Sequence, residues 1–203
     1  LLRCLIGSLF LWAIFLATRQ RLTLGQHKVH GLFLMASGAA MGCAWIFLYE
    51  AYQRIGVSMA SLAYYCGPVI IMVLSPLLFG EKLTRTKVAG FLAVLVGVVL
   101  VNGRAALNGT MSWGLFCGIM SAVMFAVLVI FSKKSTEITG LENPMLQLTA
   151  SFVVSAVFSL YKSGLSLHIV RSDWPPILFL GLINTGIGCF LYFTSISRLP
   201  AQT

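Results

Sequence analysis

The sequence predicts an all-α polytopic membrane protein, with seven transmembrane helices in this chain and an inverted five-plus-five helix repeat behind them. Three observations carry that expectation: charge is scarce, it recurs at bilayer intervals, and positions 144 residues apart echo one another. Of 203 residues, 59% are hydrophobic and 9% charged, against about 25% charged in a soluble domain. Marking every Asp, Glu, Lys and Arg leaves seven long charge-free runs: 4–18, 29–49, 55–80, 88–103, 105–132, 143–161 and 174–197. Crossing the hydrocarbon core takes roughly 20 helical residues.

The runs are expected to be helices in that order. Run 4–18 is short, and Arg3 at its edge can snorkel to the headgroups. It lacks the small-residue cleavage pattern of a secretory signal and six more spans follow, so it reads as a true helix of a truncated chain. Runs 29–49 and 55–80 are long enough alone, and Gly80 after the second suits a left-handed helix end. Run 88–103 is short and leans on Lys87 and Arg104, with Thr84 as its cap. Ser112 before Trp113, Asn143 before Pro144 and Asp173 before Trp174-Pro175 mark the starts of the last three helices. The strands of a membrane barrel would alternate in segments of about 10 residues, and these runs do not.

Lys and Arg set the orientation. Connections 19–30, 80–87 and 132–142 with Arg198 hold nine, and 50–56, 102–112 and 162–173 with Arg3 hold five. The first set is therefore expected on the cytoplasmic side, which puts Trp113 and Trp174 at the outer interface. At a shift of 144 residues Gly42 meets Gly186, Tyr49 meets Phe193, Arg54 meets Arg198 and Arg3 meets Gln147. Five helices separate such pairs, and an odd number inverts the second copy, the architecture of secondary transporters. By that repeat, the span 112–132 lacks a first-half partner, and the spans 57–80 and 85–103 lack second-half partners. About ten helices are expected in the intact protein.

Several function classes fall away. The net charge of +9 is spread over the connections without a basic, aromatic-interleaved patch, so no nucleic-acid partner is expected. Cys4, Cys43, Cys66, Cys117 and Cys189 lie inside spans without CxxC spacing and read as small apolar residues, not metal ligands. His27 and His30 are in a basic connection and His168 in an outer one, so no catalytic pairing is expected. There is no Walker A sequence and no paired-carboxylate or Ser/His/Asp set at one depth, hence no enzyme, no metal and no cofactor.

The stretch IGVSMASLAYYCGPVIIMVLSPLLFGEKLTRTKVAGFLAVLVGVVLV resembles the end of an EamA domain of the drug/metabolite transporter superfamily. The resemblance rests on Pro68, on Gly80-Glu81 before Leu83-Thr84, and on the glycine-rich helix ending GVVLVNG; Arg3 also fits, near the start of the second family helix. It implies two inverted five-helix repeats: 1–104 as the first, lacking its first helix, and 105–203 as the second, lacking its last two. It further implies a multi-pass carrier of the plasma or inner membrane that exports or exchanges small metabolites. The expected partners are a small-molecule substrate and the lipid bilayer; a second copy of the chain is a further candidate.

The candidate site is a central cavity lined by helices 31–50, 57–80 and 174–197. Pro68 has no N–H for the Tyr64 carbonyl and Pro76 none for Met72, and a freed carbonyl in lipid must face protein, water or ligand. The Cys66-Gly67-Pro68 turn is therefore a candidate cavity wall, with a kink that only shapes packing as the plainer alternative. Trp45 and Tyr64 are candidate lining residues; Tyr49 and Tyr52 suit the interfacial belt better. Asn184 and Thr185 fall mid-span, and an amide in hydrocarbon is expected to face the bundle, in a hydrogen bond between helices or on substrate. Glu50 lies four residues before Arg54, the favourable spacing for an ion pair; proton coupling is the sharper reading of Glu50. Glu81 reads as an interfacial anchor beside Lys82, Arg85 and Lys87. Small residues at Gly38/Gly42, Gly114/Gly118/Ala122 and Ala89/Ala93/Gly97 are expected at close helix contacts. The expected function is secondary, ATP-independent transport by alternating access; the alternative is a non-transporting scaffold, sensor or partner subunit that keeps the fold.

Overall fold

The computed structural model describes residues 1–19, 22–25, 27–80, 113–135, 137–163 and 174–198, together with 88–90, 92–93, 96–97 and 100. Among them the regular structure is helical throughout: α1 (Leu2–Ala17), α2 (Lys28–Tyr64), α3 (Cys66–Phe79), α4 (Trp113–Lys134), α5 (Glu142–Ser163), α6 (Trp174–Phe179), a π-helix (Leu180–Ile187) and α7 (Gly188–Arg198). Four stretches are long and apolar enough to cross a membrane: Lys28–Phe79, Trp113–Lys134, Glu142–Lys162 and Trp174–Ile196; α1 is a shorter apolar helix. Glu81, Thr84, Ser112, His168 and Asp173, and most of run 88–103, lie outside the described residues.

A straight helix over the 52 residues of Lys28–Phe79 would run about 78 Å, more than twice the roughly 30 Å hydrocarbon core. Gly56 divides it, with φ 80° and ψ 163°, a conformation open essentially to glycine alone. Ser61 Oγ donates to Tyr52 Oη at 3.4 Å. Nine residues on an unbroken helix would separate their backbones by about 13 Å, so the chain folds over at Gly56. The second division is at Tyr65, and α3 then closes at left-handed Gly80 (φ 65°), whose N–H bonds to Pro76 O. Run 55–80 was expected as one helix kinked at Pro68. The structure instead ends a helix at Tyr64 and restarts at Cys66, so Pro68 stands in a first turn. The N–H it lacks is one that a helix start leaves unpaired in any case.

The described chain forms two compact units, one of Leu1–Gly42 with Ile130–Leu199 and one built on Cys43–Val129. In the first, α1 packs on α5 and on the π-helix. Trp12 Nε1–H donates to Thr149 Oγ1 at 3.1 Å, and Cys4 Sγ lies 3.9 Å from Ser155 Oγ. The opening part of α2 meets α5 at Gly38, where a Cβ would collide with the backbone of Gln147 and with Ala150. Leu11, Leu34, Met145, Leu148 and Phe193 fill the core.

In the second unit α4 lies against both sides of the Gly56 fold. Ala51, Ala60 and Cys117 are fully buried together, flanked by Phe47, Tyr52 and Ile55. A Cβ at Gly118 would stand 2.8 Å from that of Ala63, and one at Gly114 would stand 2.6 Å from Ile55 Cγ2. Small residues at four-residue spacing thus set close backbone approach, which matters where lipid offers little drive for helix association. The expected stripe Ala89/Ala93/Gly97 differs. Ala89 and Ala93 are exposed, and among the described residues nothing lies within 4 Å of a Cβ at Gly97.

Candidate functional site

The π-helix brings two of the expected residues into one irregular segment. Gly181, Thr185 and Gly186 are buried. A Cβ at Gly181 would press on Ile6, one at Gly186 on Phe10, and one at Gly7 on the Thr185 methyl, so absent side chains let α1 lie on this backbone. Thr185 Oγ1 donates to Leu180 O, five residues back, at 2.8 Å, repeating in its side chain the i→i+5 register of a π-helix. Asn184 is exposed. The expectation that Asn184 faces the bundle is corrected for the described helices: the widened register turns Thr185, and not Asn184, onto α1. Single π-segments within α-helices occur frequently at functional sites.

The other interruption lies in the second unit. Tyr65 N–H reaches Ser61 O at 3.0 Å, Tyr65 itself is 57% exposed, and α3 begins at the next residue. Gly67 is buried against α4, where a Cβ would stand 2.8 Å from Phe125 Cδ1 and 3.3 Å from Ala122 O. The Tyr64 ring meets Phe125 edge-on, centroids 5.3 Å apart. Pro68 is exposed and Trp45 half-buried. The break therefore gathers Tyr64, Gly67 and Pro68, with Phe125 as a fourth member that its own sequence context did not flag.

Glu50 is ion-paired with Arg54 at 3.3 Å, as the i,i+4 spacing predicts; the Arg54 side chain is 59% exposed. Such a pair contributes about 0–1 kcal/mol. Tyr49 is exposed and stands edge-on to Tyr52, and Trp113 and Trp174 are exposed; both observations suit an interfacial belt.

Sequence reasoning missed the most concentrated polar chemistry of the first unit. Gln147, wholly buried, accepts from Ser37 Oγ through Oε1 and donates through Nε2 to Asn143 Oδ1 (2.6 Å) and Ser132 Oγ (3.3 Å). Asn143 Nδ2 donates to Ile138 O at 3.1 Å. Asn143 was expected to cap a helix from outside; α5 begins one residue earlier, at Glu142, and Asn143 is its second residue. Glu142, 4% exposed, accepts from Thr23 N–H, Leu24 N–H and Thr23 Oγ1 at 2.6–3.0 Å. The only sequence signal was Asn and Gln four residues apart, at the edge of an apolar run.

Apolar helices of bilayer length, interrupted at glycine-, proline- and amide-bearing positions, define an integral membrane protein of the helical class. Its family is shown directly: the model of the EamA-like transporter family matches residues 1–103 and 112–203, and the chain belongs to that family. It is 25% identical over 203 residues to the "Uncharacterized transporter YxxF" of Bacillus subtilis (strain 168), an alignment covering 98% of this chain and 65% of that protein. It is 23% identical over 185 residues to the "Biotin transporter" of Salmonella typhimurium, covering 87% of this chain and 60% of that one. A crystal structure shares its fold with a TM-score of 0.75 at 21% identity, covering 99% of this chain and 70% of the other. The chain thus spans about two thirds of the length of these relatives.

Proposed function

We propose that the full-length protein is a secondary transporter of the cell membrane, an exporter or exchanger of small metabolites or drug-like solutes working by alternating access. In this reading the fold is the inverted five-plus-five repeat, seven of whose helices belong to this chain. The observation that carries the reading is the pair of helix interruptions, at Tyr65 and at Leu180–Ile187, within an EamA-family chain. Continuous helices satisfy every backbone group in lipid, and broken ones persist where protein, water or a bound solute completes them. Trp45, Tyr64, Gly67, Pro68, Asn184 and Thr185 are the proposed solute-contacting positions. Asn184 leads among them because its amide is exposed in the middle of an apolar segment. Glu50 is a carboxylate available for coupling at the end of a span.

The test is solute counterflow by purified full-length protein in liposomes. The panel is biotin, suggested by the Salmonella relative, with amino acids, nucleotide sugars and organic cations. Preloaded solute is expected to drive uptake of its labelled form without ATP. Absence of counterflow across the panel, with the protein folded, would favour the non-transporting scaffold or partner subunit.

A further inference from the structure

We propose that Glu142 is a protonation-controlled latch on the connection between α1 and α2. This deepens the carrier reading and rests on it only for the link to transport. Three observations place the latch. Glu142 is buried although it stands at the start of α5. Both carboxylate oxygens are spent on the connection: Oε1 accepts from Thr23 N–H and Leu24 N–H, and Oε2 accepts from Thr23 N–H and Thr23 Oγ1–H. The same connection is held from its other side by Leu24, which occupies the notch that Gly31 leaves on α2, where a Cβ would collide with it.

The donor set makes the latch sensitive to a proton. Two of the three donors are backbone N–H groups, which accept nothing. A proton taken from water by either oxygen turns that oxygen into a donor facing donors, so at least one bond to Thr23 or Leu24 is lost. The charge that strengthened the others goes with it. Among the described residues, no cation is ion-paired with Glu142 and no further acceptor replaces the connection. The charged or titratable groups on the elements around it are Arg19, His27, Lys28, His30, Lys133, Lys134 and Glu137. Of these the two histidines are the rivals, because an imidazole also titrates near neutral pH. Release would free Thr23 and Leu24 and, through them, the junction at which α2 begins. The connection lies on the side that Lys and Arg counts assign to the cytoplasm, so cytosolic acidity is the input.

The experiment is amide hydrogen exchange of the peptide carrying Thr23 and Leu24, in the full-length protein in nanodiscs, corrected for the intrinsic effect of pH on exchange. Protection in the wild type is expected to fall by about tenfold or more from neutral to mildly acidic pH, as loss of a hydrogen bond to a charged group implies. Glu142→Gln should be weakly protected at both pH values, and Glu142→Asp should restore a pH step. No step in the wild type overturns the proposal, and that measurement stands even if Glu142→Gln misfolds. A step that survives in Glu142→Gln and vanishes in His27→Gln or His30→Gln also overturns it. In liposomes, Glu142→Gln should keep counterflow and lose accumulation driven by an imposed pH gradient. Retained pH-driven accumulation, or its loss in Glu50→Gln alone, counts against Glu142. If the wild type carries no solute, the carrier reading fails while amide protection still decides the latch.

Discussion

The two compact units solve the same problem, holding helices together in an apolar solvent, by different means. The first is tied by buried polar groups: Ser37, Ser132, Asn143 and Gln147 in one chain of hydrogen bonds, with Glu142 clamping a connection beside it. The second is held by close approach of small apolar residues, Ala51, Ala60 and Cys117 at the centre and Gly114 and Gly118 against the Gly56 fold. Ser121 Oγ donating to Ala44 O at 2.7 Å is its one described buried hydrogen bond from side chain to backbone between helices. Polar ties are directional and cooperative, so one deletion strands several partners; small-residue contacts degrade more gradually. The units should therefore differ in how steeply they fail.

The steepest failure is expected at Gly38. A Cβ there meets Gln147 backbone, which no rotamer change can move, so Gly38→Ala should cost about 3 kcal/mol or more, read as a large fall in thermal unfolding temperature in micelles. Next is Gln147→Leu, which orphans Ser37, Ser132 and Asn143 at once and should cost about 2–3 kcal/mol. A double-mutant cycle with Ser37→Ala should show coupling between the two sites. Gly118→Ala, which meets only the Ala63 methyl at 2.8 Å, should cost about 1–2 kcal/mol by the same measurement. Equal losses at Gly38 and Gly118 would erase the contrast between the units. Smallest is Glu50→Gln, expected within about 0.5 kcal/mol of wild type because Arg54 is mostly exposed.

What the sequence made legible follows the same division. Contacts set by local spacing were readable: the Glu50–Arg54 pair at i,i+4, the four-residue glycine stripes on α2 and α4, the Gly80 helix end, and the charge-free runs that became helices. Features set by distant partners were not. The π-helix depends on Ile6 and Phe10 lying on Gly181 and Gly186, from the other end of the chain, and that contact decides which of Asn184 and Thr185 is buried. The break at Tyr65 moved Pro68 from a presumed kink to a first turn, because Gly67 seats against Phe125 on a later helix. The Gln147 cluster draws on α2, α4 and α5, and nothing in the local pattern of any one of them announces it. The functional reading behaves likewise: the family was legible from residues 55–101, while the exposure of Asn184 required the fold.

The central claim is that the intact protein moves solute and that the outward face of the π-helix takes part. Counterflow by wild type and Asn184→Leu, compared in the same liposomes, tests it most directly. Asn184 is exposed and no described side chain is hydrogen-bonded to it, so the variant is expected to fold with wild-type stability. The account predicts counterflow by the wild type and a loss of about tenfold or more in Asn184→Leu, the scale of one solute hydrogen bond removed. Undiminished counterflow in the variant, or none in the folded wild type, would contradict it.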